Sequence, residues 1–273
     1  LSHKEPTIQE LIEAGAHFGH QTRRWNPKMK RFIFSEENGI HIIDLSKTVH
    51  QLKKAIEAAC SIVSKHKSVL FVGTKKQAKD VVKETAEACQ EFYVSERWLG
   101  GMLTNLSTIR KSVKKLENLE KKLSSENNEY TKKERLLLGK DQVKLSRNLS
   151  GIRGMRRAPG LMIVVDPSKE DIAVLEAKKL NIPVMAIVDT NCDPSLIDYV
   201  IPANDDAQKS VKVILDSISN AIKAVKEEIA PQQREESSSE RAEKSEGGEK
   251  EREHKKSDRP RRPRKEPVAE VAK

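Results

Sequence analysis

Short continuous apolar runs alternate with segments of helical periodicity, and this alternation restricts the fold more than any other feature of the chain. The stretches 41–44, 68–73, 91–94, 161–165, 183–188 and 199–201 read as strands, and most are apolar without a break. Strands covered on both faces have that pattern. Between them, 46–66, 75–90 and 168–180 carry apolar residues at helical spacing, with Ser46 and Ser168 placed as N-caps. A last amphipathic helix from Asp206 to about Ile229 aligns Val211, Ile214, Leu215, Ile218, Ile222 and Val225 on one stripe. Strand-helix alternation implies right-handed crossovers and an α/β fold with a mostly parallel sheet flanked by helices.

One segment breaks the alternation. Over 105–152 no strand signal appears, and Leu106, Ile109, Val113, Leu116 and Leu123 follow a heptad seam. After the polar stretch 124–129, Leu137, Val143, Leu149 and Ile152 resume a helical pattern. Two antiparallel helices forming an inserted, projecting coiled-coil hairpin fit this best, each reaching roughly 30 Å. Its seam residues are expected to satisfy one another, so that the core does not lean on them. The composition breaks again after Ala230: from Pro231 to Lys273 there is no Leu, Ile, Met or aromatic residue. Such a stretch buries too little apolar surface to offset chain entropy, so a disordered tail is expected, acidic around Glu235–Glu253 and basic over 259–265. The expected organisation is therefore a globular domain from 1–104 and 153–230, a hairpin at 105–152 and a charged tail at 231–273.

A formal net charge of +10 and a pI near 9.4 point to a polyanionic partner, nucleic acid before an anionic membrane. No apolar stretch is long enough to span a bilayer and the first ten residues lack a secretory pattern, so a cytoplasmic protein with no membrane partner is expected. Aromatic residues make up only 4% of the chain, too few for a sheet that reads bases by stacking. Cys60, Cys89 and Cys192 are odd in number and widely spaced, which suits reduced core residues rather than a disulfide framework or a local metal site.

The densest cationic motif is Gln21-Thr-Arg-Arg-Trp-Asn-Pro-Lys-Met-Lys-Arg31. Arg23, Arg24, Lys28, Lys30 and Arg31 around Trp25, in an expected loop, offer phosphate contacts and a stacking platform. Val69-Leu-Phe-Val-Gly-Thr-Lys-Lys76 is a strand, a glycine turn and a helix start, but it lacks the further glycines of a phosphate-binding loop. Lys75 and Lys76 are therefore read as exposed at the sheet's edge, where they can meet an RNA backbone. Arg97-Trp-Leu-Gly-Gly-Met-Leu-Thr-Asn105 pairs a cation with an aromatic before the hairpin, and a hinge with Trp98 packed inward is an equal reading. Asn105, Arg153, Arg156 and Arg157 flank the hairpin and complete the expected RNA-contacting set.

Two segments could hold a divalent ion. His17 and His20 are three residues apart, and Asp189-Thr-Asn-Cys-Asp193 begins like a calcium loop but has Pro194 where that loop needs glycine. His17, His20, Asp189, Asp193 and Asp205 form the candidate ion set. The preferred reading is plainer, with Asp193 and Asp205 capping turns and helices and no cofactor required. No nucleophile elbow, triad order or paired-carboxylate setting suggests catalysis. A nucleotide-binding enzyme on the same scaffold is the competing reading, and it lacks its phosphate loop.

Taken in order, several motifs resemble one family: 14–20 (Ala-Gly-Ala-His-Phe-Gly-His), 25–29 (Trp-Asn-Pro-Lys-Met), 71–75 (Phe-Val-Gly-Thr-Lys), 97–105, 187–194 (Ile-Val-Asp-Thr-Asn-Cys-Asp-Pro), 199–202 and 204–206. The chain resembles the bacterial form of universal small-subunit ribosomal protein two from Thr7 to about Ile229. It departs from many relatives at Ile152-Arg-Gly-Met155 and Ala158-Pro-Gly160. The resemblance implies a Rossmann-like domain with a protruding coiled-coil hairpin, bound to small-subunit rRNA between head and body. It also implies a structural, non-catalytic role among neighbouring ribosomal proteins, docking of ribosomal protein one for translation initiation, and no homo-oligomer.

Overall fold

In the computed structural model, which describes residues 5–124 and 130–229, the described residues up to Lys226 form one compact unit. The expected tail at 231–273 and the stretch 125–129 lie outside the described residues. Five strands, β4 (Val69–Val72), β5 (Phe92–Val94), β6 (Leu161–Val165), β7 (Val184–Val188) and β8 (Tyr199–Pro202), form an all-parallel sheet in the order β5-β4-β6-β7-β8. Counted along the chain, this is the 2-1-3-4-5 order of a doubly wound, Rossmann-like sheet of the flavodoxin-like kind, with its switch point between β4 and β6. Every residue of β4, β6 and β7 is buried, which is why those runs are apolar without interruption.

The strand expected at 41–44 belongs elsewhere. β3 (Ile40–Ile43) lies between β1 (Phe18–Gln21) and β2 (Ile33–Glu37) in a separate antiparallel sheet. The basic stretch expected as a loop is accordingly ordered: it leaves β1 through a 3-10 turn at Thr22–Arg24 and a second at Pro27–Phe32. Met29 and Phe32 anchor that second turn in the core, so their neighbours' cations point outward from a fixed backbone.

Helix starts follow side-chain chemistry, though not always at the expected residue. α1 (Ile8–Glu13) opens on a Thr7–Glu10 capping box. α2 (Leu45–Val63) is capped by Asp44, whose carboxylate accepts from the N–H groups of Ser46 and Lys47, so Ser46 sits inside the helix. α3 is shorter than expected (Lys79–Ala88), and α6 (Asp171–Lys179) begins after Glu170 rather than at Ser168. The closing helix, α7, runs over 208–229, and the stripe from Val211 to Val225 is buried as its spacing requires. No helix among the described residues is long and apolar enough to cross a membrane.

The segment between β5 and β6 forms two helices packed on each other, α4 (Leu106–Ser124) and α5 (Lys132–Leu149). On α4 the seam is Ile109, Val113, Leu116 and Leu119, and Leu119 supplies the step between Leu116 and Leu123. On α5 the expected phase fails before Leu149. Leu137 and Val143 are 54% and 64% exposed, whereas Leu138 and Leu145 are half-buried and Leu149 is buried. Leu136-Leu-Leu138 is a triplet, so spacing alone could not say which leucine faces inward. Nor is the seam self-contained: Ile109, Val113, Leu116, Leu149 and Ile152 belong to the same apolar cluster as Leu70 and Val72 of β4 and Met162 and Val164 of β6. Leu116→Ala should therefore cost about 2–5 kcal/mol through lost burial and a residual cavity. Leu137→Ala should change stability by less than about 0.5 kcal/mol. Urea unfolding of the two variants checks both, and equal losses would return Leu137 to the seam.

Candidate functional site

Polar groups converge where an open parallel sheet offers a site, beyond the C-terminal ends of its strands. Asp166 directly follows β6 and Asp189 directly follows β7, while Lys75 and Asp205 come three residues after β4 and β8. The Nζ of Lys75 lies 2.7 Å from Asp205, 2.7 Å from Asp206 and 3.4 Å from Asp166. This corrects the reading of Lys75 as an exposed phosphate contact: its side chain is 14% exposed and committed to three carboxylates. Burial alone would lower its pKa, but hydrogen bonds to Asp205 and Asp206 outweigh that, so the ammonium keeps its proton. Lys76, next along the chain, is exposed.

His20 joins the cluster from β1. Its Nδ1 is 2.9 Å from Asp189 Oδ2 and its Nε2 is 3.4 Å from Asp206 Oδ2, while its backbone N–H donates to Thr190 Oγ1 at 2.9 Å. The hydrogen bond with Asp189 raises the imidazole pKa above its ordinary 6.5, against the opposing effect of burial. β1 can come this close because position 19 is glycine: a Cβ there would lie 2.7 Å from Thr190 Cγ2. Burial first, then the charges of Asp189 and Asp166, push the carboxyl of Asp205 up to about 7. Burial and the same acidic neighbours push the Cys192 thiol up, so it stays protonated. Asp166 holds a left-handed backbone (φ 61°), a strained conformation for a residue with a side chain.

Of the five residues expected to hold an ion, the fold brings three together: His20, Asp189 and Asp205. Asp193 is excluded because it caps the 3-10 turn Pro194–Leu196 and pairs with Lys28 at 2.7 Å. Those contacts, the Lys28 hydrogen bond foremost, hold its carboxyl at about 2. The His17 imidazole packs on Phe18, with ring centroids 4.0 Å apart, and does not reach the cluster. Asp166 and Cys192 were not anticipated. A charged or thiol side chain within a few residues after each apolar run was the signal that could have found them.

A second constellation was missed in sequence. Glu176 of α6 is buried, and its carboxylate accepts from five donors in the 98–104 segment: Trp98 Nε1 (3.1 Å), Gly101 N (2.7 Å), Leu103 N (3.0 Å), Thr104 N (3.0 Å) and Thr104 Oγ1 (3.0 Å). Gly101, at φ 83°, turns its N–H into this carboxylate. Trp98 thus packs inward, the second of its two readings, while Arg97 and Asn105 are exposed.

The remaining cations lie on two surfaces. Near β1, Arg23, Arg24, Lys30 and Arg31 are exposed, Lys28 is held by Asp193 and Ser195, and Trp25 is half-buried with its ring 5.3 Å from that of His41. On the helix pair, Arg110, Lys111, Lys114, Arg153 and Arg156 line one groove; Lys111, Lys114, Lys115, Lys121 and Lys122 line another. Arg153 is tied to Glu120, whereas Arg156 and Arg157 are exposed. The α4 cations were absent from the sequence-based set, because a charged helix face reads as ordinary solvation.

A parallel α/β domain whose polar edge is closed by internal ion pairs, with cations ranked on exposed helices and turns, defines the class of a structural scaffold. The chain matches the ribosomal protein S2 family over residues 11–225 and belongs to that family of structural, non-enzymatic small-subunit proteins. It is 62% identical over 237 residues to the small ribosomal subunit protein uS2 of Protochlamydia amoebophila, covering 87% of each chain. To the proteins of that name from Chlamydia abortus and Chlamydia pneumoniae it is 59% identical over 216 residues, covering 79% of this chain and 78% of each relative.

Glu176 yields a pH-dependent expectation. Burial would raise its pKa, but the donors from Thr104, Trp98, Gly101 and Leu103 outweigh it and hold the carboxyl below its ordinary 4.5. Its contribution to stability is therefore complete above about pH 4.5 and is lost as pH falls from there through the folded pKa. Glu176→Gln should lower stability by about 3 kcal/mol at pH 7, because an amide offers one acceptor oxygen to donors that need two. The gap to the unaltered protein should shrink as pH falls below 4.5. Urea melts at pH 7 and pH 3.5 measure it, and a gap that did not change with pH would assign the loss to packing.

Proposed function

We propose that this protein is a ribosome-bound scaffold of the cytoplasm. It holds small-subunit rRNA on two cationic surfaces, sits at the junction of head and body, and helps to dock ribosomal protein one for translation initiation. Membership of the S2 family supports the assignment to the small subunit, and the motif resemblance supports the position and the docking role. The observation that carries the rRNA reading is the cationic face of α4. Among the described residues Lys111, Lys114 and Lys115 enter no ion pair, so their charges are available to phosphate. Arg156 and Arg157 extend that face, while Arg23, Arg24, Lys30, Arg31, Lys76 and Arg97 supply further exposed contacts. Lys28 and Arg153 contribute less, since each would first have to leave a carboxylate.

A nucleotide-binding enzyme on this scaffold is not favoured. The turn after β4 spends its lysine on three aspartates, and an anionic ligand placed there would meet their charge.

Changing Lys111, Lys114 and Lys115 together to glutamine should leave the fold intact and weaken binding to small-subunit rRNA. The slope of log K against log salt should fall by about 2–3, from roughly 0.7–0.9 per phosphate contact. Filter binding across a salt series measures the slope, and an unchanged slope would remove the α4 face from the interface. Lys75→Gln should instead act on stability and leave the slope unaltered.

A further inference from the structure

We propose that the groove at the base of the helix pair receives one unpaired guanosine of an RNA chain, its base on the apolar floor and its flanking phosphates on the cationic walls. The proposal deepens the rRNA-binding reading above and rests on it. The groove runs between one face of α4 and the turn that follows α5, and its open volume is about 750 Å³. Leu106, Arg110, Val113, Lys114 and Glu117 recur at helical spacing and supply the first wall. Residues 152–156 supply the second.

Floor and walls differ in character. Val113, Ile152 and Met155 belong to the apolar core cluster, and Leu106 packs against it while staying partly exposed. A floor held by the core keeps its shape before a ligand arrives, so little ordering cost opposes binding. Arg110, Lys111, Lys114 and Arg156 are exposed and enter no ion pair among the described residues, whereas Arg153 is engaged by Glu120. Glu117 is the one carboxylate that lines the groove among the described residues, and it too is unpaired.

These features select the occupant. An A-form duplex presents phosphates and 2′-hydroxyls, which would use the walls and leave the floor against water. A nucleotide turned out of a helix presents an apolar base face together with its flanking phosphates, and so matches floor and walls at once. An acidic peptide shares the charge, but the cations continue past the groove along α4, through Lys115 to Lys121 and Lys122. A continued row of that kind tracks a phosphate backbone. Glu117 sets the base: a carboxylate only accepts, and guanine presents two donors side by side, N1–H and N2–H₂. The same carboxylate repels phosphate towards the start of α4, where Arg110 lies and the helix dipole favours an anion.

The test uses the full chain and three RNA hairpins that differ at one site in the stem: fully paired, with a bulged guanosine, and with a bulged uridine. Fluorescence anisotropy at fixed salt gives the affinities. The bulged guanosine should bind about tenfold more tightly than the paired stem, the scale of roughly 60 Å² of apolar surface withdrawn from water. It should bind about fivefold more tightly than the bulged uridine. S107W places an indole over the groove from the exposed first turn of α4; it should abolish the preference for a bulge and spare binding to the paired stem. E117A should abolish only the preference for guanosine, and it carries the test should S107W fail to fold. Equal affinity for all three hairpins would overturn the proposal and leave the electrostatic rRNA reading standing, whereas binding to none would overturn both. Equal affinity for the two bulges, or a bulge preference unchanged in folded S107W, would also overturn it. So would tighter, S107W-sensitive binding of a peptide of alternating leucine and glutamate, which would assign the groove to a protein.

Discussion

A carboxylate withdrawn from water must find donors for both oxygens, and Glu176 finds them in the backbone that leads into α4. This single side chain sets the course of residues 98–104, seats Trp98, Met102 and Leu103 in the core, and so fixes where the helix pair departs from the sheet. The cations of α4 are ranked on a surface whose base is held by that contact. Where those cations stand in the fold thus depends on an acidic residue that is itself buried away from them.

The C-terminal edge of the parallel sheet poses the same physical problem with more groups. In an open α/β sheet this edge is where ligands of dehydrogenases and nucleotide-binding proteins sit, with glycine-rich turns clearing space for phosphate. Here the turn after β4 presents Lys75 to aspartates from the ends of β6 and β8, and the edge is closed by its own charges. One scaffold therefore serves a structural role because the groups at its switch point are complementary to each other rather than to a nucleotide. The strained backbone at Asp166 and the close approach of Gly19 to Thr190 are the local costs of gathering those groups from five segments.

Exposed charge and committed charge are hard to tell apart before the chain is folded. Lys75 and Lys76 are adjacent, of one residue type, and follow the same strand, yet one is sequestered among carboxylates and the other is exposed. Lys28 and Lys30 divide in the same way, since only Lys28 lies against Asp193. The exposed unpaired charge is thus smaller than the sequence's basic motifs.

The sequence by itself determined the α/β class, the places of the strands that form the parallel sheet though not the exclusion of 41–44 from it, the helix pair between β5 and β6, and the family. Those properties rest on local hydrophobic period and on motifs read in order, and both survive without knowledge of distant contacts. Tertiary structure alone decided that 41–44 would pair in a separate antiparallel sheet, that Leu138 and Leu145 rather than Leu137 and Val143 would face α4, and that Asp193 would pair with Lys28 away from the polar cluster while Asp166 and Cys192 came to lie beside Asp205. Each of these is a choice among locally equivalent residues. Side chains distant in sequence settle it, because a buried charge or a seam position takes its energy from the partner it meets, and that partner is fixed only once the chain has closed on itself.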